Sequence, residues 1–580
     1  MLESPLSEEV LKRNRFHVCV LLEYSIMATD KFTFRKHASI GAAAAEEDTK
    51  FLAECFVDNG DLEPLADCSD RRRIILGRTG AGKSALVSRL IEDTNAIVIN
   101  PETLSFNYLT NSTILQFFLE AGVKLDLFFK LLWRHVFTVE LLKDRYALKS
   151  RSDTESFVEK MKTWFVKDRH KERALNYLLQ WGDQFWENTE YRIKEITHRI
   201  EEDLRASIAG KISIAELRAG AASKLNQEEK LEVIQRGKSV INAIQMRELT
   251  DVLQFLNEDV FSDEKQHCYI CIDRLDENWV DESFRYMLIR SLIETIRDFL
   301  QVKNVKIIAA LRTDLIERVF RFTRDPGFQE EKYRSLYLPL RWTKAQLLTV
   351  LDKRVSYLVR QTYTKRTVGY ADLLPAKVDK TDSADDYLVE RTLLRPRDLI
   401  EFFNNIIELA ASKPSITRDM ILQGEGVYSK NRMRSLQDEW VNEYPALIEC
   451  SALLKQQTKT FRLDAIAREE VEEFCLNYAI TRYDNKDLLS VQARAVVDGM
   501  IPWSGFLCLL AHVLYLAGMI GLKTEPFESY QWAHEGTSTI VADTINLNTS
   551  VSIHPMFHRV LGIKPERNNA KQTARVRSVY

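Results

Sequence analysis

Residues 71–84 read Arg-Arg-Arg-Ile-Ile-Leu-Gly-Arg-Thr-Gly-Ala-Gly-Lys-Ser. The short apolar run Ile74–Leu76 leads directly into the pattern Gly-x-x-x-x-Gly-Lys-Ser. After it, Leu86, Leu90 and Ile91 fall on one face of a helix. A strand, a glycine-rich loop and a helix start in this order are typical of a phosphate-binding loop. The stretch therefore predicts a nucleoside triphosphate site, rather than a glycine-rich turn without a ligand.

We expect every residue of the loop to contribute to this site, namely Gly77, Arg78, Thr79, Gly80, Ala81, Gly82, Lys83 and Ser84. The glycines allow consecutive backbone N–H groups to turn toward phosphate oxygens at the start of a helix. Lys83 would place a positive charge beside the β- and γ-phosphates, and the Ser84 hydroxyl would be a ligand of Mg²⁺. The predicted cofactors are therefore ATP and Mg²⁺.

Several apolar segments, each followed by polar residues, predict a parallel sheet that is buried on both faces. They are Ile74–Leu76, Ala96–Ile99, Tyr269–Ile272, Val305–Leu311 and Leu336–Leu340. With the loop after the first segment, they predict an α/β P-loop NTPase fold. We expect a sheet of the additional-strand type, in which one strand separates the loop strand from the strand that ends in a carboxylate.

The third segment ends in Asp273-Arg-Leu-Asp276-Glu277, which offers several carboxylates where one strand stops. A triphosphatase of this kind needs a carboxylate on the Mg²⁺ side and a second acid that orients the attacking water. Asp273 directly follows the apolar residues and is the predicted metal-side carboxylate. Asp276 and Glu277 are both candidates for the general base, and the sequence does not decide between them.

Two arginines in later segments are candidates for sensing the γ-phosphate. Arg312 follows the fourth apolar segment, where it could contact the nucleotide or form a salt bridge with Asp273 or Asp314. Arg397 lies at the start of a predicted helix, where a cation is unfavourable without an anionic partner. We favour Arg397 as a catalytic residue from a helical lid, with Arg395 as the alternative.

The remaining patterns divide the chain into predicted segments. They are an N-terminal extension (1–37), a P-loop NTPase core (38–104 and 262–340), a large helical insertion (105–261), a helical lid (341–425), a winged-helix-like α+β domain (426–563) and a basic disordered tail (564–580). The insertion is predicted from apolar residues at helical spacing, such as Ile193, Ile196 and Ile200. Met27 resembles a usual protein start, so residues 1–26 need not be native.

The C-terminal prediction rests on helices followed by short strands around 519–522, 538–542 and 551–553. Within this region, Trp503–Leu522 contains no charged residue, but its glycines and His512 favour a buried helix and strand over a membrane span. The formal charge of −3 over 580 residues neither demands nor excludes nucleic acid. The scattered cysteines fit a reducing cytoplasm, and Cys268-x-x-Cys271 lacks the companion ligands of a zinc site.

Together, these motifs resemble those of an uncharacterised group of prokaryotic P-loop ATPases related to STAND, KAP and origin-recognition-like AAA+ proteins. The resemblance rests on Gly77–Ser84, Ile272–Trp279, Leu311–Asp314, Leu340–Trp342 and Leu394–Asp398, with Ile553–Phe557 near the end. It implies an ATP-driven switch or assembly module, of a kind found beside genes for phage defence or mobile elements. The spacing Asp273-x-x-Asp276-Glu277 is similar to that of STAND proteins, rather than to the adjacent Asp-Glu of AAA+ motors.

The leading hypothesis is therefore an ATP-hydrolysing switch that forms nucleotide-dependent homo-oligomers or activates a partner. A protein partner could bind the helical insertion, and no membrane is expected. An alternative is an ATP-regulated DNA-binding or loader protein of origin-recognition type, which would contact DNA through its C-terminal domain. A small-molecule kinase is disfavoured by the insertion and the paired acids.

Overall fold

The structure of this protein is a computed structural model. It describes residues 32–104, 113–122, 124–147, 248–324, 329–379, 382–481, 484, 487–536 and 540–564, with single positions between 148 and 247. The chain divides into two compact units, Asp58–Leu340 and a second that joins Met1–Val57 to Arg341–Tyr580. The predictions for residues 1–26 and for the tail beyond Lys564 lie outside the described residues.

The secondary structure of the described residues alternates short strands with longer helices. The strands are β1 (Ile74–Leu76), β2 (Ile97–Ile99), β3 (Cys268–Ile272), β4 (Val305–Leu311), β5 (Tyr337–Pro339), β6 (Thr460–Arg462), β7 (Ile520–Lys523) and β8 (Ser550–Ile553). The helices are α1 (Thr49–Cys55), α2 (Leu62–Ala66), α3 (Lys83–Thr94), α4 (Thr113–Glu120), α5 (Asp126–Tyr146), α6 (Glu248–Phe255), α7 (Glu282–Asp298), α8 (Thr313–Phe322), α9 (Lys344–Thr362), α10 (Ala384–Val389), α11 (Pro396–Leu409), α12 (Arg418–Trp440), α13 (Leu447–Cys450), α14 (Arg468–Thr481), α15 (Leu488–Val497), α16 (Trp503–Ala517) and α17 (His558–Leu561).

The sheet of the Asp58–Leu340 unit is parallel, with strand order β2-β3-β4-β1-β5. The five segments predicted for this sheet form its strands, with ends that differ from the predicted ones by at most one residue. β4 lies between the loop strand β1 and the carboxylate strand β3, which is the arrangement predicted from the additional-strand type. Because parallel strands end at a common edge, this order brings Gly77, Asp273 and Arg312 to one side of the sheet.

Helices cover the faces of this sheet, so β3 and β4 are buried along their whole length. On one side α5 packs against α7, where the Trp133 indole donates a hydrogen bond to the Leu288 carbonyl at 2.9 Å. The parts of the predicted insertion that the structure describes, α4, α5 and α6, are helical. Ile193, Ile196 and Ile200 lie outside the described residues.

Lys306 is the one charged residue of the otherwise apolar strand β4, and its side chain is nevertheless fully buried. Its ammonium donates to the carbonyl oxygens of Pro64, Asp67 and Asp70, at 2.6, 2.6 and 3.2 Å. These bonds satisfy the buried donor group, while burial lowers the pKa of Lys306 to about 8. The lysine therefore links α2 and the segment after it to the amino-terminal end of β4.

Residues 38–57 belong to the second unit, although the sequence placed them in the NTPase core. Phe34 forms a β-bridge with Ala411, and the buried guanidinium of Arg354 pairs with Asp48 at 2.5 Å. The predicted boundary between lid and C-terminal domain, at 425/426, falls inside α12. Apolar residues from α9 through α17 share one core, so helical periodicity alone could not locate a boundary here.

A buried ion cluster links α11 to α12 in this unit. The Asp398 carboxylate accepts hydrogen bonds from Arg395 Nε at 2.9 Å, from Arg432 at 3.0 Å and from the Leu393 N–H at 3.0 Å. Arg395 also lies 3.4 Å from Glu439. Burial alone would raise the pKa of Asp398, but the two guanidinium groups outweigh it and hold that pKa below its ordinary value.

We expect Asp398→Asn to lower the free energy of unfolding by about 3 kcal/mol, because it removes the shared anion from a buried charge network. Urea denaturation of the full chain measures this loss. Glu408→Gln is the matched control, since Glu408 lies exposed on the same helix. Equal stability of the two variants would contradict a structural role for the cluster.

The difference in free energy of unfolding between wild type and Asp398→Asn should also depend on pH. Because the folded pKa of Asp398 is depressed, its contribution to stability is present above the ordinary carboxyl pKa and is lost as pH falls through the folded value. The gap between wild type and Asp398→Asn should therefore narrow in acid. A gap that widened toward low pH would contradict the assigned direction.

The C-terminal part of this unit contains an antiparallel sheet of order β6-β8-β7. The helices α14, α15 and α16 lie between β6 and β7 in the chain. The strands predicted near 519–522 and 551–553 are confirmed, whereas β6 was not predicted.

The prediction of a strand at 538–542 is wrong for the described residues 540–542. They form no strand, and a 3-10 turn begins at Ala542. The backbone of Ile540 is instead bonded to side chains of α16, with its N–H donating to the Tyr515 hydroxyl and its carbonyl bonded to His512. These side-chain partners take the place of a strand neighbour.

The uncharged segment Trp503–Leu522 forms α16 and most of β7, as predicted, with Phe506, Leu510 and Leu514 buried. Gly518 ends the helix with φ of 84°, a backbone conformation that favours glycine. Within the described ranges, the structure has no helix that is both long and apolar enough to span a bilayer.

Candidate functional site

The loop between β1 and α3 has the backbone conformation that its glycines permit. Gly80 and Gly82 have φ of 78° and 98°, which other residues adopt only with strain, and Gly82 directly precedes the first turn of α3. A Cβ at Gly77 would lie 3.1 Å from the Ala81 Cβ, tighter than ordinary contact. The loop is therefore closely folded at a helix N-terminus, where backbone N–H groups favour an anion.

Lys83 lies buried inside this loop. Its ammonium donates to the carbonyl oxygens of Gly77 at 3.1 Å and Arg78 at 3.4 Å. Burial lowers the pKa of Lys83, while the nearby carboxylates of Asp276 and Asp273 act in the opposite direction. A buried cation held by carbonyl oxygens gains a stronger partner when a phosphate enters the loop.

Asp273 and Ser84 meet where β3 ends beside α3. The Asp273 carboxylate accepts a hydrogen bond from the Arg274 N–H at 2.8 Å and another from the Ser84 hydroxyl. Burial raises the pKa of Asp273, although these bonds and Lys83 oppose the shift. A hydroxyl beside a carboxylate is an oxygen pair that suits Mg²⁺, which also keeps several waters. The residues present therefore fit the predicted metal.

The two candidate bases lie on the turn after β3 in different surroundings. The Asp276 carboxylate lies 4.0 Å from Arg312 Nε, and its side chain is 31% exposed. The Glu277 side chain is 46% exposed and lies 3.8 Å from Arg274. Burial raises the pKa of Glu277 despite the attraction of Arg274. Asp276 is thus the carboxylate beside the largely buried Arg312, and Glu277 is the more exposed of the two.

Arg312 forms a two-point ion pair with Asp314, with both N–O distances 2.9 Å. Arg318 donates to the same carboxylate at 2.6 Å. The salt bridge that the sequence offered as an alternative is therefore present. Arg312 also lies 4.0 Å from Asp276, one of the candidate bases. Its ion pair with Asp314 is therefore compatible with contact to a nucleotide.

We expect Arg312→Gln to slow ATP hydrolysis by about 100-fold, the effect of removing one preorganised donor from a transition state. Its loss should lower the free energy of unfolding by only about 1 kcal/mol, because Arg318 still pairs with Asp314. Steady-state phosphate release and urea denaturation measure the two quantities.

Arg318→Gln is the matched control, since it removes the other cation from Asp314. If both variants lost hydrolysis equally, the role of Arg312 would be to hold Asp314 and α8 in place. A slow Arg312→Gln beside an active Arg318→Gln would identify contact with the nucleotide.

Arg397, the predicted residue of the lid, belongs to the other unit. Its Nε donates to the Ala43 carbonyl at 3.3 Å, and burial lowers its pKa, as do Arg432 and Arg395. Arg395, the alternative, pairs with Asp398 and Glu439 in the buried cluster described above. The structure thus brings the loop, Asp273, Asp276, Glu277 and Arg312 together within one unit, and the part played by Arg397 stays a prediction.

Sequence reasoning missed two residues at the end of β2, next to β3. The Asn100 side chain accepts a hydrogen bond from the Glu102 N–H at 3.0 Å, and the Glu102 carboxylate contributes to the raised pKa of Glu277. The sequence could have indicated them, because these polar residues come directly after the second predicted strand, where parallel strands of such a sheet carry their functional residues.

Comparison with known proteins gives one match to a short part of the chain and one along most of it. Residues 345–437 match the family described as a FunZ-associated C-terminal helical domain, and they span α9, α10, α11 and most of α12. Over 544 residues, the chain is 20% identical to a putative transposon gamma-delta 80.3 kDa protein of Escherichia coli (strain K12), covering 92% of this chain and 68% of that protein.

A solved structure of the Aeropyrum pernix ORC2 protein, in ADPNP–ADP complexes, aligns with a TM-score of 0.30 and 12% identity. The alignment covers 90% of this chain and 95% of that chain. A TM-score this low does not establish a shared fold.

Proposed function

We propose that this protein is a Mg²⁺-dependent ATPase. The observation that carries the proposal is the strand order, which sets Lys83, Ser84 and Asp273 at one edge of a parallel sheet. Three functions that a triphosphatase needs, namely phosphate charge neutralisation, a metal-side oxygen pair and a nearby acid, come from two segments that lie far apart in the chain, Gly77–Ser84 and Asp273–Glu277.

In this proposal, the backbone N–H groups of the loop and Lys83 hold the phosphates. Ser84 and Asp273 would hold Mg²⁺, which would neutralise phosphate charge when bound. Glu277 or Asp276 takes the proton of the attacking water, and Arg312 faces the γ-phosphate from the end of β4.

Phosphate release from ATP by the full chain, at millimolar ATP and Mg²⁺, tests the proposal. We expect turnover that disappears when Mg²⁺ is chelated. If wild-type protein neither bound nor hydrolysed ATP under these conditions, the proposal would be lost. Turnover that required an added acceptor would instead indicate a kinase.

We further propose that ATP drives a change of assembly, as in a STAND-like switch, with Arg397 and the helices of residues 345–437 responding to nucleotide. Mass measurement with and without a non-hydrolysable ATP analogue tests it in wild type, Lys83→Ala and Glu277→Gln. The proposal expects a size change in wild type and Glu277→Gln only. A constant mass in all three would contradict it.

The setting that we propose is the biology of bacterial mobile DNA, including defence against phage. The support is the transposon name of the relative that aligns along most of this chain. Plaque formation on cells that express wild type or Lys83→Ala tests the defence role, and equal plaque numbers on both would contradict it.

A DNA-binding function is the second candidate, because the sheet order β6-β8-β7, with three helices between β6 and β7 in the chain, is compatible with a winged helix. The charge distribution favours the switch instead. α16, the helix before β7, has no charged residue, and the segment after β7 carries Glu525, Glu528 and a fully exposed Phe527. Duplex binding that weakens steeply from about 50 to 200 mM salt would revive this candidate.

A further inference from the structure

A cavity of about 790 Å³ lies in the Asp58–Leu340 unit, away from the phosphate-binding loop. Arg73 lines it just before β1, His267 just before β3, and Asn304 just before β4. The amino-terminal ends of parallel strands share one edge, and the loop lies at the opposite, carboxyl-terminal edge. The cavity is therefore a separate site, and its volume is within the range of about 300–1,000 Å³ usual for small-molecule pockets.

The lining is rich in cations. Those present are Arg71, Arg73, Arg134, Arg297 and Lys303, against the carboxylates of Asp67, Glu264 and Asp298. Two of these carboxylates are already engaged. Asp67 accepts hydrogen bonds from Ser69, and Asp298 pairs with Arg134. Five cations against three carboxylates give the lining a net positive charge.

Arg73 is the most unusual of these cations, because it is only 3% exposed. Its guanidinium donates to the carbonyl oxygens of Val305 at 3.1 Å and Cys68 at 3.3 Å, and its Nε has no hydrogen-bond partner within the described part of the chain. Burial lowers the pKa of Arg73 to about 10, so it stays charged at neutral pH. A buried cation held only by carbonyl groups is incompletely compensated, and an anion in the cavity would supply the missing charge.

The walls of the cavity are held in place without a ligand. Lys306 fixes the carbonyl groups of Asp67 and Asp70, and the Asn304 side chain donates to the carbonyls of Phe261 at 2.7 Å and Asp263 at 3.1 Å. Arg297 lies over the Tyr333 ring, 5.0 Å from its centroid. A pocket whose walls are already ordered loses little conformational entropy when it binds.

We propose that this cavity binds a small phosphorylated molecule, at a site distinct from the ATP site. Planar guanidinium groups match phosphate oxygens in a two-point geometry, which favours phosphate over a single carboxylate. Leu253 and Leu300 also line the cavity and offer apolar contact for the organic part of such a molecule.

Calorimetric titration with inorganic pyrophosphate tests this site in a Lys83→Ala background, which removes the lysine of the loop. The double change Arg71→Gln with Lys303→Gln alters exposed lining residues, so the fold should be unaffected. We expect Lys83→Ala to keep one pyrophosphate site and the added double change to weaken it at least about 10-fold. The matched control adds Lys265→Gln with Lys332→Gln, which removes the same charge from exposed positions outside the lining.

The absence of any pyrophosphate site in Lys83→Ala would overturn the proposal. Equal weakening by the lining and control changes would overturn it too, because it would show attraction to general surface charge. These outcomes leave the ATPase proposal untouched, since phosphate release by wild type tests that separately.

Discussion

Lys83→Ala is expected to lower the affinity for ATP by about 100-fold, which corresponds to one strong charge-assisted hydrogen bond of about 3 kcal/mol. The lysine is buried in the loop, where its ammonium donates to the carbonyls of Gly77 and Arg78, and a phosphate would be a stronger partner than either carbonyl. Titration with a fluorescent ATP analogue in the presence of Mg²⁺ measures the change.

Loss of binding in this variant should not come from unfolding. Burial lowers the pKa of Lys83, which means that the free protein holds this charge at a cost that alanine removes. We therefore expect the melting temperature without ATP to stay constant or rise, while the stabilisation by ATP disappears.

Arg89→Ala is the matched control, because Arg89 lies on the same helix and pairs with Glu92 and Asp93 at the surface. Its affinity for ATP should equal that of wild type. If Arg89→Ala weakened binding as much as Lys83→Ala, general charge on α3 would explain the result. Unchanged affinity in Lys83→Ala would place the nucleotide elsewhere.

The sequence predicted the sheet well because its strands carry a strong local signal. β3 and β4 are apolar along nearly their whole length, and each is followed by a charged residue that the fold brings to the same edge. The conformation of the loop was equally predictable, since Gly80 and Gly82 have positive φ angles that favour glycine.

The second unit was harder to predict, for reasons of long-range packing. Asp48 and Arg354 form an ion pair although 306 positions separate them in the sequence, and no local pattern indicates that pair. Arg395 and Arg397 look alike in sequence, yet only the fold shows that Arg395 is enclosed by Asp398 and Glu439. Chemistry that depends on such partners is not visible in a strand or helix pattern.

Glu277→Gln is expected to lower the rate of ATP hydrolysis by about 100- to 10,000-fold, the usual contribution of a general base. Affinity for ATP should stay within about threefold of wild type, because the loop and Lys83 are unchanged. Single-turnover hydrolysis and equilibrium binding separate these two quantities.

The surroundings of the two acids favour Glu277 over Asp276 as this base. The Asp276 side chain is 31% exposed and that of Glu277 is 46% exposed, so Glu277 is the more accessible of the two to water. The pKa of Glu277 is raised by burial, which brings it toward the range in which a carboxylate accepts protons effectively. Asp276→Asn should accordingly retain more activity than Glu277→Gln. The reverse order, with Asp276→Asn inactive and Glu277→Gln active, would assign the proton to Asp276 and make Arg312 the group that orients it.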